Sequence, residues 1–238
     1  MLGYFNNKRV LVVVAHPDDE LLGLGATINK LVNDCGVIVR VLILGEGITS
    51  RSDERDVSKW ENELSKHRKN IHDAKKMIGY QYLSLCDFPD NRFDTISLLD
   101  IIKAIEKVKQ DFRPEIVFTH HSGDLNIDHR RTFEAVMTAF RPLYKETVET
   151  ILTFETPSST EWAASTEPKY FSPNLFFSLS EKNICAKINA MECYEYEKRI
   201  YPHPRSSDAL KIQAQRWGIA IGCEYAEAFC LIRSVSLL

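Results

Sequence analysis

The sequence predicts an α/β fold in which helices cover both faces of a mainly parallel sheet, followed by a C-terminal elaboration. Its apolar run at 10–15 is continuous and rich in β-branched residues, as in a strand covered on both faces, and a second apolar strand is predicted at 37–44. Helical segments separate these runs, and such alternation favours parallel strands joined by helices. In sheets of this kind, ligands bind beyond the carboxyl ends of the strands, near the switch in strand order.

The first half of the chain supplies five predicted strands, at 10–15, 37–44, 82–85, 115–120 and 150–155. Helices are predicted at 21–32, 56–78, 98–108 and 130–140, and the third shows apolar residues at i, i+3, i+4 and i+7. Beyond residue 156 we expect a strand at 174–179, helices at 181–197 and 207–217, and a strand at 229–235. No repeat or linker interrupts the chain, so we expect one domain over 1–238, with a core at 1–156 and an elaboration at 157–238.

Composition narrows the class of protein. Hydrophobic residues make up 44% and charged residues 26%, which is ordinary for a globular chain of 238 residues. The net charge is −3 and no basic stripe is present, so nucleic acid and acidic membranes are not expected partners. No segment resembles a signal peptide or a membrane span, and none of the six cysteines forms a CxxC pair, so we expect a cytoplasmic protein with reduced thiols.

Three acidic residues lie just after the first predicted strand, in the segment His16-Pro17-Asp18-Asp19-Glu20. Carboxylates at a helix start can cap free N–H groups and favour the positive end of the helix dipole, which explains the three acids. That explanation gives no reason for a histidine. The alternative is a chemical site at the carboxyl end of the strand.

A second polar cluster follows the fourth predicted strand, in the segment 119–129. It contains three histidines and two aspartates: His120, His121, Asp124, Asp128 and His129. Because strands one and four are neighbours at the switch point of many doubly wound sheets, we expect the two clusters to converge.

Converging histidines and carboxylates suit a divalent ion, with zinc as the leading choice. His16 and Asp19 lie i, i+3 around a turn and can face one ion, and His129 would complete a set of three ligands. A catalytic zinc site leaves its fourth position to water. Asp18, free of the ion, could then take a proton from that water as general base.

A family resemblance accompanies these residues. The motif at 16–20, the later Asp128-His129 pair, and the segments HPRS (203–206) and AEAFCLIR (226–233) resemble the PIG-L/LmbE family of zinc-dependent N-acetylglucosamine deacetylases over most of the chain. The resemblance implies a Rossmann-like three-layer fold, one zinc ion per chain and hydrolysis of an N-acetyl group on a glucosamine-containing substrate. SSTEW (158–162) and LNIDHR (125–130) resemble the branch associated with bacterial surface-polysaccharide synthesis.

The resemblance assigns roles to five positions. His16, Asp19 and His129 correspond to the metal ligands, and Asp18 corresponds to the general base. Asp128 precedes the last ligand and is expected to be an active-site carboxylate or to lie behind the metal ligands.

Asn126 departs from the family pattern, because many members have a histidine there that helps to handle the tetrahedral intermediate. An asparagine can donate a hydrogen bond, but it carries no proton as an imidazolium does. The group that protonates the leaving amine therefore stays open, with His120, His121, His203 and Asp18 itself as candidates.

Substrate binding is predicted to involve Arg51, Asp90, His120 and Arg205. Arg51 lies in the loop after the second strand, roughly where the family has a sugar-contacting arginine, and Arg55 is its rival. For each loop charge the alternative is a solvated side chain. Trp60 and Trp162 could stack on a sugar ring or be partly buried. The substrate is expected to be a small amino sugar, and free, nucleotide-linked, lipid-linked and glycan forms all stay open.

Three other functions fit parts of the sequence. Gly23-Leu24-Gly25 suggests a dinucleotide-binding oxidoreductase, but here the glycines fall inside a helix, where they would permit close helix–sheet packing. A metal-dependent phosphoester hydrolase also uses carboxylates and histidines, often with two ions. A sugar-binding protein without activity would fit the asparagine at 126, but it would not need the free carboxylate of Asp18.

Overall fold

A mainly parallel sheet forms the centre of the molecule. The structure is a computed structural model that describes residues 2–144, 146–166 and 169–235, and within these ranges seven strands form one sheet. The strands are β1 (Arg9–Val14), β2 (Ile38–Gly45), β3 (Tyr82–Phe88), β4 (Ile116–His120), β5 (Thr150–Phe154), β6 (Leu175–Leu179) and β7 (Tyr225–Ser234). Their order is β3-β2-β1-β4-β5-β7-β6, with β7 antiparallel to both of its neighbours and all other pairs parallel. The predicted α/β fold with a mainly parallel sheet is confirmed.

Helices cover both faces of this sheet. They are α1 (Leu2–Phe5), α2 (Asp19–Cys35), α3 (Glu61–Ile78), α4 (Leu98–Phe112), α5 (Ile127–Ala139), α6 (Glu181–Met191) and α7 (Ser207–Ile221). The continuous apolar sequence of β1 follows from this layering. Val10, Val12 and Val14 pack on the face of α2, α3 and α6, whereas Leu11 and Val13 pack on the face of α4 and α5. Within the described ranges, no helix combines the length and the apolar composition that a membrane crossing requires.

Several element boundaries differ from the sequence-based expectation. α2 begins two residues early and α5 three, and a hydrophobic pattern reveals neither start. Asn126 caps α5 through its side chain, whereas Asp18 occupies the N-cap position of α2 without a side-chain hydrogen bond to the helix. α6 ends at Met191, well before residue 197, and turns follow it. The last strand begins at Tyr225, because its pairing with β6 extends as far as Leu179.

The strand order reverses at β1, which positions the site. β2 and β3 lie on one side of β1, and β4 and β5 lie on the other. β1 and β4 pair in parallel through residues 10–12 and 116–118, so both carboxyl ends open at the same edge of the sheet. The expected adjacency of the first and fourth strands is confirmed, and the two polar clusters that follow them come together.

Gly23 packs against the sheet near the start of α2. A Cβ atom there would lie 2.2 Å from the Phe154 ring, so a side chain fits only if the ring or the helix moves. This supports the packing role inferred for the glycine. We expect Gly23→Ala to lower the free energy of unfolding by about 1–3 kcal/mol relative to Gly3→Ala, because it overpacks the core. Gly3 is a suitable control, since a Cβ there meets no atom within 4 Å. Equal denaturation midpoints for the two variants would contradict the prediction.

Candidate metal and active site

A polar cavity of about 240 Å³ lies at the carboxyl ends of the strands. Its walls come from the segments that follow β1 to β5, from α3 and from the segment between α6 and α7. The polar lining residues are His16, Asp18, Asp19, Ser50, Arg51, His67, Asp90, Asn91, Asn126, His129, Ser158, Ser159, Glu197, Arg199 and Arg205. The position agrees with the general rule for ligand sites in open α/β sheets.

Three side-chain atoms form a nearly regular triangle in this cavity. His16 Nδ1 lies 3.4 Å from Asp19 Oδ2, His129 Nε2 lies 3.4 Å from the same oxygen, and the two nitrogens are 3.3 Å apart. Zinc bonds of about 2.0–2.1 Å in tetrahedral geometry place ligand atoms about 3.3–3.4 Å from one another. The residues predicted as metal ligands are therefore brought together with the spacing that one small divalent ion requires.

Carboxylates hold both histidines from behind. His16 Nε2 donates to Asp128 Oδ2 at 2.9 Å, and Asp128 Oδ1 accepts from the backbone N–H of Phe93 at 2.8 Å. On the other ring, Nδ1 of His129 lies 3.0 Å from Asp124 Oδ1. A carboxylate on one nitrogen directs the lone pair of the other nitrogen toward a metal. Asp128 thus lies behind His16, the predicted ligand from the first cluster.

Asp124 lies behind the triangle, and the sequence reasoning assigned it no role. Its carboxylate accepts from the hydroxyls of Ser159 and Thr160 as well as facing His129, and these partners hold the pKa of Asp124 well below its usual value despite burial. The available signal was its place in the segment 119–129, five residues before His129, which it contacts.

A second group of possible ligands shares one histidine with the triangle. His16 Nε2 lies 3.4 Å from Asp90 Oδ1 as well as 2.9 Å from Asp128 Oδ2. Asp90 already accepts from the N–H and hydroxyl of Ser50. A neutral imidazole offers one lone pair, so His16 cannot serve both groups at once. The geometry favours a single ion in the triangle.

The electrostatics of the triangle are consistent with a site for one divalent cation. Burial disfavours a charge on His129, but Asp19 and Asp124 outweigh it and raise its pKa to about 9. Burial also opposes a charge on His16, and hydrogen bonds with Asp128 and Asp19 raise its pKa well above the usual value. The carboxyl of Asp19 is buried, yet the neighbouring ring of His129 holds its pKa well below the usual range. The neighbouring carboxylates thus favour protons on these rings, and a divalent cation that binds in the triangle would displace such protons.

Asp18 lies beside the triangle without being part of it. It is buried, and its φ of 100° is a left-handed conformation that a non-glycine residue seldom adopts. Burial raises the pKa of its carboxyl well above the usual value, and the Arg205 guanidinium opposes that rise. Arg205 Nη1 lies 3.2 Å from Asp18 Oδ2. The predicted general base therefore has a cavity-facing carboxyl with one oxygen held by an arginine.

Two arginines reach the site through one glutamate. Glu197 Oε2 accepts from Arg205 Nη1 at 2.8 Å, and its Oε1 accepts from Arg51 Nη2 at 2.6 Å. Arg205 Nε also donates to Ser158 Oγ at 2.7 Å. Both predicted substrate arginines thus line the cavity, and Glu197, which the sequence did not reveal, connects them.

Asn126 uses each end of its amide differently. Oδ1 accepts from the backbone N–H of Asp128 at 2.8 Å and caps α5, while Nδ2 donates to Asn91 Oδ1 at 2.8 Å. One N–H of the amide remains for a ligand in the cavity. The residue lines the cavity where the family pattern has a histidine.

The structure does not bring two other predicted residues to the cavity wall. His120 is fully buried behind the triangle, where its Nε2 accepts from the N–H of Ala15 at 2.9 Å and its ring stacks on His129 at 3.9 Å. Burial and the charge of His129 lower the pKa of His120 to about 4, which keeps it neutral. His203 is half-buried, and its Nδ1 accepts from the backbone N–H of Arg205 at 3.2 Å. Neither ring is among the cavity lining, so neither is placed to touch a sugar there.

The remaining candidates lie outside the lining too. Arg55 pairs with Glu46, so of the two rival arginines Arg51 is the one at the cavity. His121 donates to the carbonyl of Lys169. Trp60 is half-buried and Trp162 is 53% exposed. No metal, proton or substrate role follows from these contacts.

His67 is a cavity residue that the sequence reasoning missed. It lies on α3, is 1% exposed, and neither ring nitrogen has a hydrogen-bond partner among the described residues. Burial lowers its pKa. The available signal was a histidine on the buried face of α3, with Leu64 three residues before it and Ile71 four residues after it.

Comparisons with known proteins agree with this geometry. The family described as GlcNAc-PI de-N-acetylase, PIG-L, matches residues 11–140, which is more than half of the chain. The chain belongs to the PIG-L family. It is accordingly a hydrolytic deacetylase, and the resemblance noted in its sequence is confirmed.

Individual relatives extend the comparison. The uncharacterised deacetylase YaiS of Escherichia coli K12 is 29% identical over 193 residues, which cover 78% of this chain and 91% of the relative. The solved structure of N,N'-diacetylchitobiose deacetylase from Pyrococcus horikoshii has a TM-score of 0.74 at 19% identity and covers 95% of this chain and 84% of its own. GalB, the 4-carboxy-2-hydroxymuconate hydratase of Pseudomonas putida KT2440, has a TM-score of 0.72 at 19% identity, covering 97% and 99%. Both structural likenesses show the fold, and because the fold hosts a hydratase too, substrate and mechanism must be argued from the site.

Proposed function

We propose that this protein is a zinc-dependent hydrolase that removes the N-acetyl group from an N-acetylglucosamine-type amino sugar or its conjugate, in the biosynthesis of a surface polysaccharide or glycoconjugate. The observation that carries the proposal is the triangle of His16, Asp19 and His129 with the buried carboxyl of Asp18 beside it. Membership of the PIG-L family supports deacetylation. The description of that family as GlcNAc-PI de-N-acetylase supports an acetylated amino sugar as the substrate.

The donor set of the triangle fits zinc. Two imidazole nitrogens and one carboxylate oxygen are the ligands that a catalytic zinc ion uses in several hydrolases, with one position left open. A bound zinc ion supplies Lewis acidity to the amide carbonyl and lowers the pKa of water. The side chains behind the triangle, Asp128 and Asp124, orient both rings through contacts within the protein.

Asp18 performs the proton transfers in this proposal. Its carboxyl lines the cavity next to the triangle, and Arg205 holds one of its oxygens in place. It accepts a proton from the attacking water as the C–O bond forms, and then gives a proton to the amine as the C–N bond breaks. Burial favours its protonated form between the two steps. The products are acetate and a free amino sugar.

Asn126 stabilises the developing oxyanion in this proposal. Its Oδ1 is committed to the α5 cap and its Nδ2 is held by Asn91, so its free N–H has a fixed direction. A fixed donor aimed at developing charge lowers the barrier without reorganisation during the reaction. Because an amide has no proton to transfer, this role leaves the return of the proton to Asp18.

The test is acetate release across a panel of N-acetyl amino sugars, free and conjugated, with zinc removed by a chelator and then restored. We expect release that the chelator abolishes and zinc restores, at one zinc ion per chain. Absence of acetate from every substrate with zinc present would contradict the proposal. Two ions per chain together with release of phosphate from phosphoesters would instead favour a phosphoester hydrolase.

A further inference from the structure

The helix that follows the first polar cluster, α2, is broken shortly after its start. Leu24 has a φ of −151° and a ψ of 23°, which are not helical values. In an unbroken helix the N–H groups of Ala26 and Thr27 would donate to carbonyls four residues earlier. Here they donate to the carboxylate of Glu227 on β7, at 3.3 and 2.7 Å. The first turn of α2, residues 19–23, is therefore not a straight continuation of the helix, and its direction depends on contacts outside the helix.

A buried ion pair lies at this break. Lys187 Nζ on α6 donates to the carbonyl of Leu22 at 2.8 Å and lies 2.7 Å from Glu227 Oε1. Lys187 and Glu227 are each 5% exposed. Gly25 leaves room for the lysine, because a Cβ there would lie 3.2 Å from Lys187 Cγ. The ammonium thus binds a carbonyl before the break, the carboxylate binds N–H groups after it, and the ion pair connects the two parts of the helix.

Leu22 connects this ion pair to the reacting centre. Its N–H donates to the carbonyl of Asp18 at 2.9 Å, while its own carbonyl accepts from Lys187. The left-handed backbone of Asp18 is a conformation that persists only where the surrounding structure holds it. Asp19 begins the turn, and its Oδ2 is one corner of the triangle. A turn that rotated about the break would therefore move the carboxylates of Asp18 and Asp19 relative to His129 on α5.

We propose that Lys187 and Glu227 are positioning residues for the reacting centre, because their ion pair sets the direction of the first turn of α2 and so places Asp18 and Asp19 at the triangle. The inference rests on the proposed function and identifies what holds its base and one of its ligands in place. Stability alone does not account for the pair, since the cost of removing two charges from water offsets much of their attraction. An apolar pair of similar volume would fill the same space, but it could not bind the carbonyl and the N–H groups on either side of the break.

The principal test is the double variant Lys187→Met with Glu227→Gln, which removes both charges together so that neither is left buried without its partner. We expect it to fold, because replacing a whole buried ion pair is often neutral for stability. We expect its zinc dissociation constant to rise and its kcat to fall, each by at least about tenfold, as when residues that orient a metal ligand are replaced. Competition with a chelator measures the first, and acetate release measures the second. Amide hydrogen exchange over residues 19–23 of the zinc-free protein is expected to be faster than in the wild type.

Asn29→Ala is the matched control. Asn29 lies on α2 beyond the break, is 7% exposed, and bonds to the carbonyl of Ile78 and to the side chain of Asn183 on α6. The substitution therefore removes buried hydrogen bonds of the same helix without touching its first turn. We expect it to lower the free energy of unfolding while zinc affinity, kcat and exchange over residues 19–23 stay as in the wild type.

Glu227→Asp is a second variant, which keeps both charges but withdraws the carboxylate by one methylene group from the N–H groups of Ala26 and Thr27. We expect weaker zinc binding and faster exchange over residues 19–23, and this variant decides the question if the double variant does not fold. Wild-type zinc affinity and exchange in the folded variants, or equal changes in Asn29→Ala, would overturn the inference. No acetate from the wild-type enzyme would overturn the proposed function alone, because zinc affinity and hydrogen exchange still report on the turn.

Discussion

Replacing Asp18 by asparagine is expected to lower kcat by at least about a hundredfold, the effect typical of a lost general base, while the metal stays bound. The carboxyl of Asp18 lies in the cavity but outside the triangle of His16, Asp19 and His129, so the substitution removes a proton acceptor and no ligand. Asparagine tolerates left-handed backbone better than most residues, so the φ of 100° is kept. The measurements are kcat for acetate release and the ratio of zinc to protein.

Asp34→Asn is the matched control for this substitution. Asp34 lies on α2, the helix that Asp18 precedes, and its side chain is exposed at the opposite end from the site. The control is expected to keep both activity and zinc content. Wild-type turnover in Asp18→Asn would refute the assignment of the base, and loss of zinc from it would show that Asp18 supports the metal instead.

The convergence of the two polar clusters could be predicted from chain order alone. Each cluster follows an apolar run, and parallel strands that are neighbours at a switch point release their loops at the same edge. This reasoning brought together His16 and His129, which are 113 residues apart and whose ring nitrogens lie 3.3 Å from each other. The spacing of the three ligand atoms is independent evidence for the site, because a hydrophobic pattern does not determine the distances between side-chain atoms.

The partners of the predicted base could not be found in the same way. The segment with Glu197 was expected to be helical, but α6 ends at Met191 and the following turns place Glu197 between Arg51 and Arg205. These contacts join residues that are far apart in the sequence and lie on irregular backbone. Irregular backbone has no periodic hydrophobic pattern from which its course could be predicted. The antiparallel insertion of β7 between β5 and β6 is similar, because a local pattern indicates a strand without its order or direction.

The roles of individual polar residues depended on which atom faces which. The sequence identifies Asn126 as a departure from the family pattern. It does not reveal that Asn126 Oδ1 caps α5, because that role depends on the helix beginning at Ile127. For His120, the hydrogen bonds exclude the role that the sequence suggested. Its place in a histidine-rich segment suggested contact with substrate, but the N–H of Ala15 and the hydroxyl of Thr156 flank its two nitrogens inside the core. The sequence identifies a polar cluster, but only the hydrogen-bond geometry shows which of its side chains line the cavity and which lie behind it.

His129→Ala is expected to abolish both zinc binding and acetate release. The substitution removes one of three ligand atoms and leaves the triangle with His16 Nδ1 and Asp19 Oδ2 alone. It also leaves the buried carboxylate of Asp124 without the imidazole at 3.0 Å, so the remaining site is less ordered. A ligand that binds only the folded state raises the unfolding temperature, so zinc should stabilise the wild type and have little effect on the variant.

His121→Ala separates this effect from the general cost of removing a buried histidine. His121 lies in the same segment as His129 and is similarly buried at 7% against 3% exposure, but its ring donates to the carbonyl of Lys169 and contributes no atom to the triangle. We expect its zinc-free form to be destabilised while zinc still raises its unfolding temperature and restores acetate release. Zinc-dependent stabilisation that survives in His129→Ala, or that is lost equally in His121→Ala, would show that the ion binds elsewhere, and the second group of His16, Asp90 and Asp128 would then be the place to test.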